Sequence, residues 1–320
     1  MARFKVLLTD YAWPDLDIER SLLSDADAEL VVAESQDVAS LISSVADVDA
    51  IITCWAQVPK ELIDAAANCR IVARLGIGVD NIDVSYCTSK GIPVPNVPDY
   101  CTDEVAEHTL ALVLSLSRKT ALYHHETKSG RYDRNAGPML RRLKGQTLGI
   151  LGLGKIGRRF AALAASLGLK VVATSRKQRE PQPHIVHLEL NDLLAQADFI
   201  SLHLPLTAET AHIIGRNQLA MMKPTAYLIN TARGGLVDHL ALADALRRNQ
   251  IAGAALDVQE PEPPDLSQPP FNDPRVLVTP HAAFLSVESL DELRRRTVDQ
   301  VITRLHGGVP ANIVNPRVCG

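Results

Sequence analysis

The chain has 320 residues, 46% hydrophobic and 22% charged, which is enough for two ordinary domains with buried cores and too apolar for extensive disorder. Its 37 acids against 33 Lys plus Arg give a formal net charge of −4, which lacks the basic field that nucleic-acid binding draws on. No apolar run approaches the roughly 18 residues of a membrane helix, and MARFKVLLTD enters a strand with no signal-peptide core, so a cytoplasmic location is expected.

Short β-branched runs alternate with helical patterns from the first residues, the signature of a parallel sheet covered by helices on both faces. The pattern predicts strands at Lys5–Leu8, Leu30–Val32, Ala50–Thr53 and Ile71–Leu75, which make one small doubly wound unit. GIPVPNVPDY follows, and its prolines favour an extended crossing segment. Asp103–Lys119 then places Val105, Thr109, Leu112, Val113 and Leu116 on one face at helical spacing, acids first and bases last. This helix is the predicted crossover into a second domain.

The second domain opens with KGQTLGILGLGKIGRRFAALAASLGLKVVATSRK, a strand, glycine turn, helix and strand. Further strands are expected at Phe199–His203, Ala226–Asn230, Ala254–Val258 and Val276–Thr279. PEPPDLSQPPFNDP reads as an ordered surface loop, too proline-rich for a helix or central strand. From Ser286 a charged amphipathic helix runs to a Gly-Gly stop and is expected to return the chain to the first domain.

Gly152, Gly154 and Gly157 form a G-x-G-x-x-G between an apolar strand and an alanine-rich helix. The first glycine permits a tight turn, the second lets backbone approach a pyrophosphate, and the third lets helix and strand pack closely. Dinucleotide binding is the reading this context supports, with Lys155 and Ile156 at the helix start. Arg233 stands at the end of a predicted strand, where a guanidinium can grip a substrate carboxylate in a two-pronged fork. Alone it would more often be a surface ion-pair residue. The neighbouring strands end in LDVQEPEP and TPHAA, which add carboxylates and a histidine. A histidine there can move a proton near neutral pH, and a carboxylate on its other nitrogen fixes the tautomer. Carbonyl reduction needs such an acid.

Taken in order, RLGIGVDNID, VAEHTLALVLSLSR, GILGLGKIG, HLPLTAET, LINTARGGLVD, LDVQEPEP, TPHAA and NIVNP make the chain resemble the D-isomer-specific 2-hydroxyacid dehydrogenase family along nearly its whole length. The wording of VPDYCTDEVAEHT and TPHAAFLSVESL is most similar to the branch containing C-terminal binding protein and its bacterial relatives. The resemblance implies an α/β fold of two doubly wound parallel-sheet domains with a cleft between them. Residues 102–285 would be the Rossmann cofactor domain, and 1–101 plus 286–320 the flavodoxin-like substrate domain.

It further implies that Arg233 orients substrate, His281 is the acid/base and Glu262 its partner, with Glu260, which also precedes a proline, left as a rival. Ile77 and Gly78 correspond to a loop whose backbone N–H groups bind the substrate carboxylate. Cys101 stands where many relatives carry Asn, removing a strong hydrogen-bonding group from the substrate side. Val105 would pack on the nicotinamide, Asp257 would meet its carboxamide, and His203, Pro205 and Thr210 match the adenosine-side loop. Thr231 and Ala283 also fall on the cofactor side. His108, inside an apolar helix, reads as a core or interface residue, and His124 and His125 as surface residues.

An NAD-binding domain usually ends its second strand in Asp or Glu about 20 residues past the glycines. Ser175 stands there, followed by Arg176 and Lys177, so NADP(H) is favoured over NAD(H). The five cysteines, an odd number without a C-x-x-C pair, argue against a disulfide framework and against a zinc site, and no metal is expected. The leading function is an oxidoreductase interconverting a small 2-oxo acid and a D-2-hydroxy acid, expected as a homodimer with no nucleic-acid or membrane partner. A nucleotide-sensing partner-binding protein and a short phosphoglycerate dehydrogenase are the alternatives.

Overall fold

The computed structural model describes residues 2–175 and 184–319, in two units: residues 1–100 with 286–320, and residues 101–285. Cys101 thus goes with the second unit. In the first, β1 (Phe4–Leu8), α1 (Asp17–Asp25), β2 (Ala28–Val32), α2 (Val38–Ser44), β3 (Ala50–Thr53), α3 (Lys60–Ala65), β4 (Val72–Arg74) and α4 (Val84–Ser89) alternate. The strands form a four-stranded parallel sheet in the order β2-β1-β3-β4. Leu7, Ile51 and Val72 point into a core with Leu41 of α2 and Leu62 of α3, the alternation of a strand buried on both faces.

A long C-terminal helix, Val287–Leu305, returns to this unit and is capped at its start by Ser286, whose side chain accepts from Ser289 N at 2.8 Å. Its Arg294 grips the buried Glu19 of α1 through two bonds of 2.8 and 2.7 Å. Asn315 extends the docking by accepting from Val94 N and donating to Ile92 O.

The second unit contains α5 (Thr102–Arg118), α6 (Thr120–Lys128), β5 (Thr147–Leu151), α7 (Lys155–Ser166), β6 (Lys170–Thr174), β7 (Ile185–His187), α8 (Leu190–Gln196), β8 (Phe199–Leu202), α9 (Arg216–Met221), β9 (Tyr227–Asn230), α10 (His239–Arg247), β10 (Gly253–Leu256) and β11 (Val276–Val278). Its seven strands are all parallel, in the order β11-β10-β9-β8-β5-β6-β7. Leu148 and Ile150 face α5 and α7, where Leu112, Leu116, Phe160 and Ala164 are buried. Leu151 faces the opposite core with Leu193, Leu219 and Leu242 of α8, α9 and α10.

The chain leaves β5 toward β6 on one side and later returns to β8 on the other, so the carboxyl end of β5 is the point where the winding reverses. Ligands of such sheets bind at that reversal. Two elements go beyond the sequence reading. β7 is a short edge strand with two exposed residues, and α6 buries none of its side chains, so neither carries the periodicity that betrays an element. Among the described residues no helix is long and apolar enough to cross a membrane.

Candidate active site

The turn after β5 is built by its glycines. Gly152 has φ +98°, and a Cβ there would overlap the His203 carbonyl. A Cβ on Gly157 would overlap the Gly152 carbonyl, so α7 can lie against the turn only because this residue is glycine. Gly154 differs, since a Cβ there would meet nothing within 4 Å. That open surface lies at the start of α7, whose first turn has no side-chain cap. The first-turn N–H groups of Lys155, Ile156 and Gly157 point along the helix axis, and with the helix dipole they suit an anion. This cradle fits the pyrophosphate of a dinucleotide.

Ser175 directly follows β6. Arg176 and Lys177, assigned to the same ribose end, lie outside the described residues. After β8, Thr210 Oγ1 donates to Pro205 O at 2.7 Å and accepts from Thr207 N at 2.8 Å, fixing the 205–210 loop. His203 packs its ring 5.4 Å from Phe160 and lies 2.9 Å from Ser201 Oγ, and burial pushes its imidazole down to about 4.

The loop after β9 carries Arg233. Buried Asn230 accepts from Ala232 N at 3.0 Å and donates to Arg233 O at 2.8 Å, while an Arg233 Nη donates to Ala232 O at 2.8 Å. Gly234 and Gly235 let this loop lie against the one after β10: a Cβ on Gly234 would overlap Gln259, and one on Gly235 would sit 2.7 Å from Glu260 Oε2. Thr231 meets α5 through a 2.9 Å contact with Thr109 Oγ1, one turn from the buried Val105.

The loops after β10 and β11 bring Glu262 and His281 together. His281 Nδ1 lies 2.8 Å from Glu262 Oε2, and Glu262 Oε1 accepts from Gln259 N at 2.8 Å. His281 adopts φ +52° and places its ring edge-on to Phe284, with centroids 6.1 Å apart. Asp257, fully buried, accepts from Ala282 N at 2.9 Å and Ala283 N at 3.0 Å. Gln259 was not among the sequence candidates. Its amide donates to Leu256 O and Thr279 O, tying the ends of β10 and β11.

His108, read from the sequence as a core or interface residue, is 25% exposed on α5, and its Nε2 is 3.2 Å from Thr279 Oγ1 and 3.5 Å from Asp257 Oδ1. Its position three residues past Val105, one turn along the same face of α5, was the available signal. His124 and His125 are exposed on α6.

In the first unit, the loop holding Ile77 and Gly78 is fixed by its carbonyls: Asn96 Nδ2 donates to Ile77 O at 2.7 Å and Val97 N to Gly76 O at 3.0 Å. Cys101 is buried at the start of α5. Burial pushes the thiols of Cys54 and Cys87 up to about 12 and that of Cys69 to about 11, which leaves them protonated and unreactive.

Comparison with known proteins returns one family model: D-isomer specific 2-hydroxyacid dehydrogenase, NAD binding domain, matches residues 110–283. A glyoxylate reductase of Aeropyrum pernix is 38% identical over 289 residues, 87% of this chain and 86% of its own. A crystal structure of D-lactate dehydrogenase from Aquifex aeolicus, complexed with NAD and lactic acid, superposes with a TM-score of 0.89 at 30% identity, covering 97% of this chain and 99% of that one. An NADPH-dependent glyoxylate/hydroxypyruvate reductase from Sinorhizobium meliloti, in complex with NADP and malonate, gives 0.86 at 30% identity, covering 98% and 97%. These similarities stand at the level of the family and do not single out the branch of C-terminal binding protein.

Proposed function

Because the chain belongs to the D-isomer-specific 2-hydroxyacid dehydrogenase family and is an NAD(P)-dependent oxidoreductase, we propose that it reduces a small 2-oxo acid, of the glyoxylate and hydroxypyruvate class, to the D-2-hydroxy acid. The observation that carries this reading is the His281–Glu262 pair, 2.8 Å apart, on strand ends of the sheet whose glycine turn fits a dinucleotide.

A bound reduced nicotinamide supplies the hydride for the carbonyl carbon. Arg233 forks the substrate carboxylate and polarises the carbonyl oxygen. Glu262 accepts the Nδ1–H of His281, so the proton for the alkoxide oxygen comes from Nε2, and the charge left on the ring changes beside a fixed carboxylate. Ile77 and Gly78 are proposed to add backbone N–H groups for the carboxylate, and Cys101 to shape the substrate side. Val105, Thr231 and Ala283 are proposed cofactor contacts, together with the 152–157 turn and the His203–Thr210 loop. Asp257 is proposed for the carboxamide.

NADP(H) is the preferred cofactor in this reading, on the strength of Ser175 and the basic residues that follow it. A homodimer is also proposed, on the strength of the family resemblance. The test is oxidation of NADPH and NADH with glyoxylate, hydroxypyruvate, pyruvate and longer 2-oxo acids. Turnover is expected with the smallest of these. Tight cofactor binding with no turnover on any of them would overturn the reading in favour of a nucleotide sensor.

A further inference from the structure

Asp257 presents a buried carboxylate whose side chain is 1% exposed, and such a charge persists only where donors surround it. The donors are Thr279 Oγ1 at 2.6 Å, Ala282 N at 2.9 Å, Ala283 N at 3.0 Å and, more distantly, His108 Nε2 at 3.5 Å. The two alanine N–H groups directly follow His281 in the chain, and His281 N itself donates to the main-chain oxygens of Asp257 and Thr279. Asp257 therefore clamps the turn in which His281 takes its left-handed φ of +52°, a conformation that a non-glycine residue adopts only when its surroundings impose it.

Thr279 has one hydroxyl proton, and the carboxylate at 2.6 Å is the stronger acceptor for it. Its oxygen must then accept from His108 at 3.2 Å, which fixes the His108 tautomer as Nε2–H. We propose that His108 is a positioning residue for proton delivery: by donating to Thr279 and Asp257 it holds the 279–283 turn so that His281 meets Glu262. The proposal rests on His281 being the acid. The core contacts of α5 come from Val105, Leu112 and Val113, whereas the His108 side chain is 25% exposed, so what its removal takes away is chiefly a donor.

The experiment compares His108→Leu, His108→Gln, Thr279→Val and the Leu/Val double variant in the holoenzyme with glyoxylate. His108→Leu is expected to lower kcat about tenfold or more, as loss of an outer-shell hydrogen bond does, with KM, cofactor Kd and thermal midpoint near wild type. His108→Gln, whose amide can donate from the same place, should restore most of the turnover. The double variant should be no worse than the weaker single variant, because both cut one chain of hydrogen bonds. Wild-type kcat in His108→Leu, a loss confined to KM or cofactor Kd, no rescue by Gln, or additive losses would each overturn the proposal. His281→Gln, measured alongside, separates the two ideas. If it keeps full turnover the acid assignment fails, and if it is inactive while His108→Leu is normal only the role of His108 fails.

Discussion

Glu262 Oε2 reaches His281 Nδ1 at 2.8 Å, while Glu260, two residues upstream, lies beside Gly235 with its carboxylate 2.7 Å from where a Cβ would stand. Both glutamates precede prolines in the same loop, yet it is Glu262 that meets His281 Nδ1 and is placed to hold its tautomer.

Glu262→Gln is therefore expected to lower kcat by tenfold to a hundredfold, a share of the roughly 10²–10⁴ that a positioned acid contributes. Glu260→Gln should stay within about threefold of wild type. Steady-state kinetics of both variants with glyoxylate checks this. A larger loss at Glu260 than at Glu262 would mean that the pair seen here is not the one that works.

The glycine turn separates structural from binding roles one residue at a time. Gly154→Ala places a methyl where nothing lies within 4 Å, so the fold should survive with a thermal midpoint shifted by no more than about 2 °C. The same methyl occupies the approach to the pyrophosphate, and cofactor affinity should fall about tenfold or more. Gly157→Ala drives a methyl into the Gly152 carbonyl and should lose several kcal/mol of stability or fail to fold. Fluorescence titration and thermal melts distinguish the two, and wild-type cofactor affinity in Gly154→Ala would contradict the proposed cradle.

The stretch from Thr147 to Thr174 is legible in the sequence because its determinants, an apolar run, three spaced glycines and an alanine-rich helix, are neighbours in the chain. Long-range partners are not legible in that way. His108 lies 171 residues from Thr279 and Thr109 lies 122 from Thr231, and the helical spacing that sets His108 one turn past Val105 gives its face but not the partners it meets there. The contact depends on the path of a loop with no periodicity: spacing from Asp257 favours Glu262 with Glu260 as its rival, and Glu262 is the one that lies 2.8 Å from His281 Nδ1. α6 and β7 escape detection for a related reason, since elements that bury little leave little pattern.

His203 makes the second unit sensitive to acid. Its folded value of about 4 lies below the unfolded value of about 6.5. Between these pH values the unfolded chain binds a proton that the native state does not, so stability falls as pH drops from 6.5 toward 4 and is unaffected above 7. By pH 5 the loss is about 2 kcal/mol. His203→Gln removes the titrating group, so denaturant unfolding at pH 7 and pH 5 should show wild type losing more than the variant. Parallel losses would place the acid sensitivity elsewhere.

The proposed preference for NADP(H) rests on Ser175 and the basic residues that follow it. β6 ends at Thr174 and Ser175 follows, where an NAD-binding domain usually carries a carboxylate that accepts from the ribose 2′-hydroxyl and repels a 2′-phosphate. A serine hydroxyl does neither strongly, and the sequence continues with Arg176 and Lys177, cations able to pair with a phosphate. The fold itself does not decide, since one similar structure is complexed with NAD and another with NADP. Wild type is expected to show a higher kcat/KM with NADPH than with NADH on one 2-oxo acid. Ser175→Asp sets a negative charge against the 2′-phosphate, and like charges held together cost several kcal/mol, so the ratio should shift toward NADH by about tenfold or more. Removing the cations with Arg176→Ala and Lys177→Ala should move it the same way by weakening NADPH alone. A wild type that prefers NADH, or an aspartate variant with an unchanged ratio, would show that the specificity is set at another part of the nucleotide.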